Sequence, residues 1–276
     1  MSTPADTTGK APTTPNTIVL IHGLWMTPRS WEHWIDRCSS RGHHVLAPAW
    51  PGMEGEVEEL RRDSSPIARL GVPEIVHHYE RIIDKLDRPP IIMGHSFGGA
   101  FVQVLLDRGL GAAGVAIDPG PPKGVLKLPW STIRSGWSIL RNPANRHKAV
   151  ALTPKQFHYA FANTLTEEAS RKAFERYAVA GAGGVLFEGA IANLKSHSPF
   201  RIDWGKADRA PLLIIGGGSD HIVPPSLSRS IFKHYKGPAT VEYKEFPDRS
   251  HYTVGQGGWE LVADFALTWA EDRAMK

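Results

Sequence analysis

The residues with the clearest chemical capacity lie in Gly94-His95-Ser96-Phe97-Gly98, where the apolar run Pro90–Met93 stops at a serine flanked by glycines and an amphipathic stretch, Ala100–Leu106, follows. That order reads as strand, sharp turn, helix. The turn strains its middle residue and needs glycine where a Cβ would meet the neighbouring strand or helix. It projects the Ser96 hydroxyl from the carboxyl end of a sheet, with the Phe97 N–H at the helix start facing the same space. A serine at its free pKa is unreactive, so it needs a base, and a buried base needs a carboxylate to fix its tautomer and stabilise its cation. Two later loops, each following a strand, Pro211–Ile215 and Thr240–Phe246, carry such groups: Asp220 in Gly218–Pro224 and His251 in Asp248–His251. Strand-end loops of a parallel sheet share one crevice, which predicts that Ser96, Asp220 and His251 meet as the catalytic set.

Asp118 also ends a strand and competes for the role of acid. The run Asp118-Pro119-Gly120-Pro121 reads as a rigid exit from the sheet, which favours Asp220. His95 is expected to point away from the crevice and pack beneath the turn, and His221 and Asp248 to order their loops.

The elements that must position these groups follow from periodicity. Thr17–His22 reads as a buried strand ending in His22-Gly23-Leu24-Trp25, whose backbone can face Ser96 and offer a second N–H, that of Leu24. The His22 imidazole is expected to bond loop backbone. Ser30–Ser40 has helical spacing of Trp31, Trp34, Ile35 and Cys38, and the helix opened by Pro73 has an apolar face from Ile75 to Leu86. His77 and His78, adjacent on that helix, cannot face one metal. Gly52–Val72, charged and broken by Pro66 and Gly71, reads as a surface excursion. Gly109–Gly114 matches GxGxxG but follows a helix and precedes a strand, the wrong context for a nucleotide loop, so it reads as a turn.

From Gly120 the pattern becomes helical and rich in aromatics, without a convincing strand until Pro211–Ile215. This predicts an α/β protein whose mostly parallel, doubly wound sheet is built by residues 17–120 and 204–276. A helical cap, residues 121–203, is inserted over its active edge. Trp25, Trp137 and Phe157 are candidates to line the substrate pocket, although most cap aromatics are expected to fill the cap's own core.

With 276 residues and 41% hydrophobic content the chain can bury one large core. Its 32 Lys and Arg against 28 Asp and Glu give +4 without a basic run, so no nucleic-acid footprint is expected. The single cysteine, Cys38, excludes an internal disulfide and offers no zinc spacing, so neither a metal nor another cofactor is expected. Residues 1–16 are rich in Thr, Pro and Ala and read as a disordered tail rather than a secretion signal. No apolar run is long enough for a membrane span, and the expected location is cytoplasmic.

The order Ser96, Asp220, His251, with the motifs Ile21-His22-Gly23, Gly94-His95-Ser96-Phe97-Gly98-Gly99, Gly218–Pro224 and Ser250-His251, resembles the α/β-hydrolase superfamily over residues 17–270. It is most similar to the small cofactor-free serine esterases and non-haem haloperoxidases. The resemblance implies oxyanion-hole N–H groups on Leu24 and Phe97, and serine at the nucleophile position argues against the dehalogenase and epoxide hydrolase branches. The implied activity is metal-free cleavage of an ester, lactone or thioester of a hydrophobic small molecule through an acyl-enzyme. Carbon–carbon hydrolysis, cyanohydrin lysis, perhydrolysis, or a receptor with little turnover would use the same residues.

Overall fold

The structure, a computed structural model, describes residues 16–274. The tail expected over residues 1–16 therefore lies outside the described residues except for Asn16, whose carbonyl already accepts from His44 N at 2.6 Å. The strands are β1 (Thr17–Ile21), β2 (His44–Leu46), β3 (Ile91–His95), β4 (Ala113–Ile117), β5 (Ala149–Val150), β6 (Gly181–Ala182), β7 (Leu212–Gly217) and β8 (Val241–Phe246). The helices are α1 (Glu32–Ser40), α2 (Val57–Arg62), α3 (Val72–Ile83), α4 (Phe97–Asp107), α5 (Trp130–Leu140), α6 (Pro154–Ala160), α7 (Glu167–Tyr177), α8 (Gly183–Ala190), α9 (Pro225–His234) and α10 (Trp259–Ala274).

Six strands form one parallel sheet in the order β2-β1-β3-β4-β7-β8. Strands β3, β4 and β7 are buried throughout, as a sheet covered on both faces requires. Alternation divides β1 between the two layers. Ile18 and Leu20 pack with Trp31 and Trp34 and with Val262, Ala266 and Leu267 of α10. Val19 and Ile21 face Ile75, Tyr79, Phe101 and Leu105 of α3 and α4.

From β1 the chain steps outward to β2 and then returns to the other side of β1 as β3. At such a reversal the loops leaving β1 and β3 diverge and open a crevice at the carboxyl edge. Ile21 pairs with Gly94, so the turn His22–Trp25 starts beside the turn at Ser96.

Two regions differ from the reading of the sequence. The excursion 52–72 contains α2, held by a capping box between Glu56 and Glu59. Its Val57, Leu60, Ile67 and Leu70 are buried in the core, and Arg61 donates to the carbonyls of Ala178 and Phe174 at 2.8 and 2.7 Å. Six helical residues with two apolar positions are too few for periodicity to register. Between β4 and β7 the chain holds α5–α8 and an antiparallel ribbon pairing Ala149 with Ala182 and Val150 with Gly181. Strands of two residues carry no alternation to read.

Candidate active site

Ser96 stands between the last residue of β3 and the first of α4 with φ 58° and ψ −119°, a strained conformation for a residue with a Cβ. The surroundings enforce it. Ser96 N donates to Ile117 O at 2.9 Å, and Ser96 O accepts from Gly120 N at 3.0 Å and Ala100 N at 3.1 Å. A Cβ on Gly98 would run into Ile21 O, and one on Gly94 into Gly98 O, so both glycines are needed for the turn to sit this close to β1.

His251 is fully buried, and its Nε2 lies 2.9 Å from Ser96 Oγ. On the other side its Nδ1 lies 2.6 Å from Asp220 Oδ2. The second Asp220 oxygen accepts from Ile222 N and Val223 N at 2.7 and 2.9 Å. With the carboxylate accepting at Nδ1, the proton of the neutral ring sits there and Nε2 is free to accept from the serine hydroxyl. This arrangement can move a proton from Ser96 to His251 while Asp220 holds the resulting cation.

The competing acid has different partners. Asp118 Oδ1 accepts from Gly217 N at 2.6 Å, while Oδ2 is buried without a hydrogen-bond partner. Burial and the neighbouring Asp220 charge push its carboxyl well above the usual range, opposed only in part by the Thr253 hydroxyl and Gly217 N–H. Asp118 thus bonds the β7 backbone, whereas Asp220 is the carboxylate in contact with the imidazole.

His95 has a role that its sequence context did not signal. Its Nε2 donates to His251 O at 2.7 Å and the two rings are 4.7 Å apart. Burial and His251 hold its pKa well below the ordinary value, so the ring is neutral and ties the strand to the His251 backbone. His22 orders its loop as expected. It accepts from Trp50 N at 3.2 Å, has its other nitrogen 3.0 Å from Gly23 O, and stacks on Trp50. Burial lowers its pKa to about 4. His221 bonds Tyr159 O at 2.8 Å and Asp248 O accepts from Gln256 Nε2 at 2.9 Å, so these residues likewise brace loops.

The Phe97 N–H belongs to the first turn of α4, where no intrahelical acceptor exists. Leu24 N has no acceptor among the described residues. Trp25, at φ 66°, is buried with its indole N–H on Val150 O at 3.0 Å and its ring edge-on to Phe161. Phe157 lies behind Phe161, stacked on it at 5.1 Å. Trp137 is exposed in a groove on the outside of α5 and α6 with Trp130 and Tyr159. The ring that reaches His251 is Phe161, edge-on at 4.9 Å. Nothing in the sequence distinguished it from the other aromatics of its segment.

His95, Asp118 and His251 bring three potential ligand atoms within 4.8 Å of one another, the one such group among the described residues. Both His251 nitrogens are engaged, with Ser96 and Asp220, and His95 Nε2 bonds His251 O, so a metal that took His251 as a ligand would break the hydrogen-bond chain. No helix among the described residues is long and apolar enough to cross a membrane.

Residues 18–265 match the sequence profile of the α/β hydrolase family. The chain belongs to that family and is a hydrolase. In sequence, no curated protein matches it. Among solved structures it is similar to the Paleococcus ferrophilus monoacylglycerol lipase, with TM-score 0.65 and 22% identity over 94% of this chain and 96% of that one. It is also similar to a pyrethroid hydrolase from Sphingobium faniae JZ-2, with TM-score 0.68 and 16% identity over 95% and 100% of the two chains. A third similar structure is tomato methylketone synthase I complexed with 2-tridecanone, with TM-score 0.67 and 14% identity over 94% and 99%. At these identities the likeness is one of fold.

Proposed function

We propose that the protein is a metal-free serine hydrolase that cleaves a carboxylic ester, lactone or thioester of a hydrophobic small molecule through an acyl-enzyme. The observation that carries this reading is the continuous chain from Ser96 Oγ to His251 Nε2 at 2.9 Å and from His251 Nδ1 to Asp220 Oδ2 at 2.6 Å. Ser96 attacks the carbonyl carbon as His251 takes its proton, and Asp220 stabilises the imidazolium. The oxyanion that forms is met by the N–H groups of Leu24 and Phe97. Collapse expels the alcohol or thiol, protonated by His251, and water activated by the same imidazole releases the acid.

Residues 121–203 act as a cap that excludes water and shapes the pocket. The support is a set of bonds from this segment to the strand-end loops: Val179 N to Trp25 O at 3.0 Å, Tyr252 N to Phe161 O at 2.9 Å, and Asn163 Nδ2 to Ser219 O at 2.9 Å. Trp25, Phe97 and Phe161 make an apolar setting for the acyl or alcohol group, in keeping with fold neighbours described as a monoacylglycerol lipase and as a complex with 2-tridecanone. A cytoplasmic location fits the one cysteine, Cys38, which is free and buried with its thiol pushed up to about 12.

The test is steady-state hydrolysis of p-nitrophenyl esters together with mass analysis after an alkyl phosphonate. Continued turnover and a phosphonate adduct on the Ser96 peptide are expected. A single stoichiometric burst would assign a receptor, and an adduct elsewhere would overturn the mechanism.

A further inference from the structure

Between Asp118 and Glu167 the chain carries seven Lys and Arg residues, from Lys123 to Lys155, and no Asp or Glu, although the whole chain is only +4. The two signs are therefore segregated rather than mixed. Elsewhere arginines are paired with carboxylates, as Arg29, Arg37, Arg41, Arg176, Arg229 and Arg273 are. Among the described residues none of the seven makes an ion pair. Arg134 lies over the Tyr159 ring at 4.0 Å, and Lys123 donates to the carbonyls of Lys195 and Ser196.

The same stretch concentrates exposed apolar side chains. Leu126 is 79% exposed, Leu128 66%, Trp130 75% and Trp137 60%, four of the seven large exposed hydrophobic residues described. Asn193 bonds Gly124 N and Val125 O, which brings Leu194, also exposed, beside them. A groove of about 440 Å³ lined by Trp130, Ile133, Arg134, Trp137, Lys155 and Tyr159 runs through the patch. Thr132 and Ser135 of α5 bond the carbonyls of Ile222 and His221, so the patch is fixed to the loop that carries Asp220.

We propose that this face docks peripherally on an anionic lipid bilayer. Leu126, Leu128 and the two indoles enter the interfacial layer while the unpaired cations meet anionic headgroups. Tryptophan is suited to the depth of the headgroups, and clustered Lys and Arg are attracted to a negative leaflet. Charge argues against the other occupants. A second copy docking through the same face would bring together two stretches that each carry seven cations and no carboxylate. A nucleic acid would satisfy the cations and leave the leucines in water.

The test is co-sedimentation of the full chain with vesicles of phosphatidylcholine alone and with about a third phosphatidylglycerol, at low and physiological salt. Binding at least tenfold stronger to the anionic vesicles, weakened by salt and accompanied by a blue shift of tryptophan emission, is expected. Each exposed cation near the surface contributes about fivefold, so the triple variant K127E/R141E/K148E should lose more than tenfold. The triple variant L126S/L128S/W130S should lose the blue shift. Both should keep the wild-type melting temperature and soluble-ester turnover, which separates loss of docking from loss of folding or chemistry. Equal affinity for the two vesicle types, or no binding, overturns the proposal. So does an unaffected charge variant, retention on an oligonucleotide without vesicle binding, or a dimer in light scattering that L126S/L128S/W130S abolishes.

Discussion

Phe161 meets the His251 imidazole edge-on with ring centroids 4.9 Å apart and planes at 75°, and its carbonyl accepts from the N–H of the next residue, Tyr252, at 2.9 Å. One residue of the inserted segment thus contacts both the ring and the backbone of the loop bearing the histidine. Phe157 stacks on the same ring from behind and meets Phe174 edge-on.

The two phenylalanines should therefore answer differently to truncation. Phe161→Leu should change the ranking of kcat/KM across acetate to octanoate esters, each methylene contact being worth about 0.8 kcal/mol, or roughly fourfold. Phe157→Ala should cost about 3–5 kcal/mol of stability, seen as a lower melting temperature, and leave the ranking intact. A change of ranking in Phe157→Ala with none in Phe161→Leu would place the acyl chain on the other side of the stack.

Ser96→Ala should abolish ester turnover down to the residual left by binding and oxyanion donors, roughly 10³–10⁴-fold over water. The fold should survive, because the backbone bonds of Ser96 and not its hydroxyl hold the turn. Retention of more than a few per cent of the wild-type rate in contamination-free protein would remove Ser96 as nucleophile.

Asp220 and Asp118 separate acid chemistry from burial. Asp220→Asn should lower kcat by about 10⁴, since an amide can hold the imidazole in the wrong tautomer. Asp118→Asn keeps an acceptor for Gly217 N and should lose less than about tenfold. The folded-state pKa of Asp118 is raised, so its contribution to stability is full below the ordinary value of 3.8 and declines as pH rises above it. Denaturation from pH 4 to 8 should accordingly show Asp118→Asn gaining on wild type as pH rises; a constant difference would mean that Asp118 is ionised in the native state.

The serine turn was legible because several constraints coincide in a few residues: an apolar strand, glycines where β1 and α4 crowd it, and a helix whose first N–H is free. The meeting of Asp220 and His251 with Ser96 was legible through strand-end placement, which needs only the order of elements. Phe161 and His95 were not, since their roles come from a neighbour distant in sequence. His95 is defined by the carbonyl of His251, and Phe161 by a contact across the inserted segment. The charge asymmetry of residues 119–166 was present in the sequence but hidden by a near-neutral total. Its meaning needed the structure, in which those cations make no ion pair among the described residues and Arg134 and Lys155 share a groove with the exposed indoles of Trp130 and Trp137.

His22 sets a limit on acid stability. The ring is buried between the first turn and Trp50, accepts from Trp50 N at 3.2 Å, and therefore has to be neutral at that nitrogen. Its pKa is about 4 in the folded chain against 6.5 ordinarily, so its contribution is present above 6.5 and is lost as pH falls toward 4. The shift corresponds to about 3 kcal/mol at full development. Over the same interval Asp118 acts in the opposite direction, while the buried His95 ring, whose pKa is also held well below the ordinary value, acts in the same direction as His22. Asp118→Asn should therefore steepen the fall in stability between pH 6.5 and 4, and His22→Gln should flatten it at some cost in stability at neutral pH. Urea midpoints measured for the two single variants across that interval decide the assignment. Parallel curves for wild type and His22→Gln would show that the acid sensitivity arises from another group.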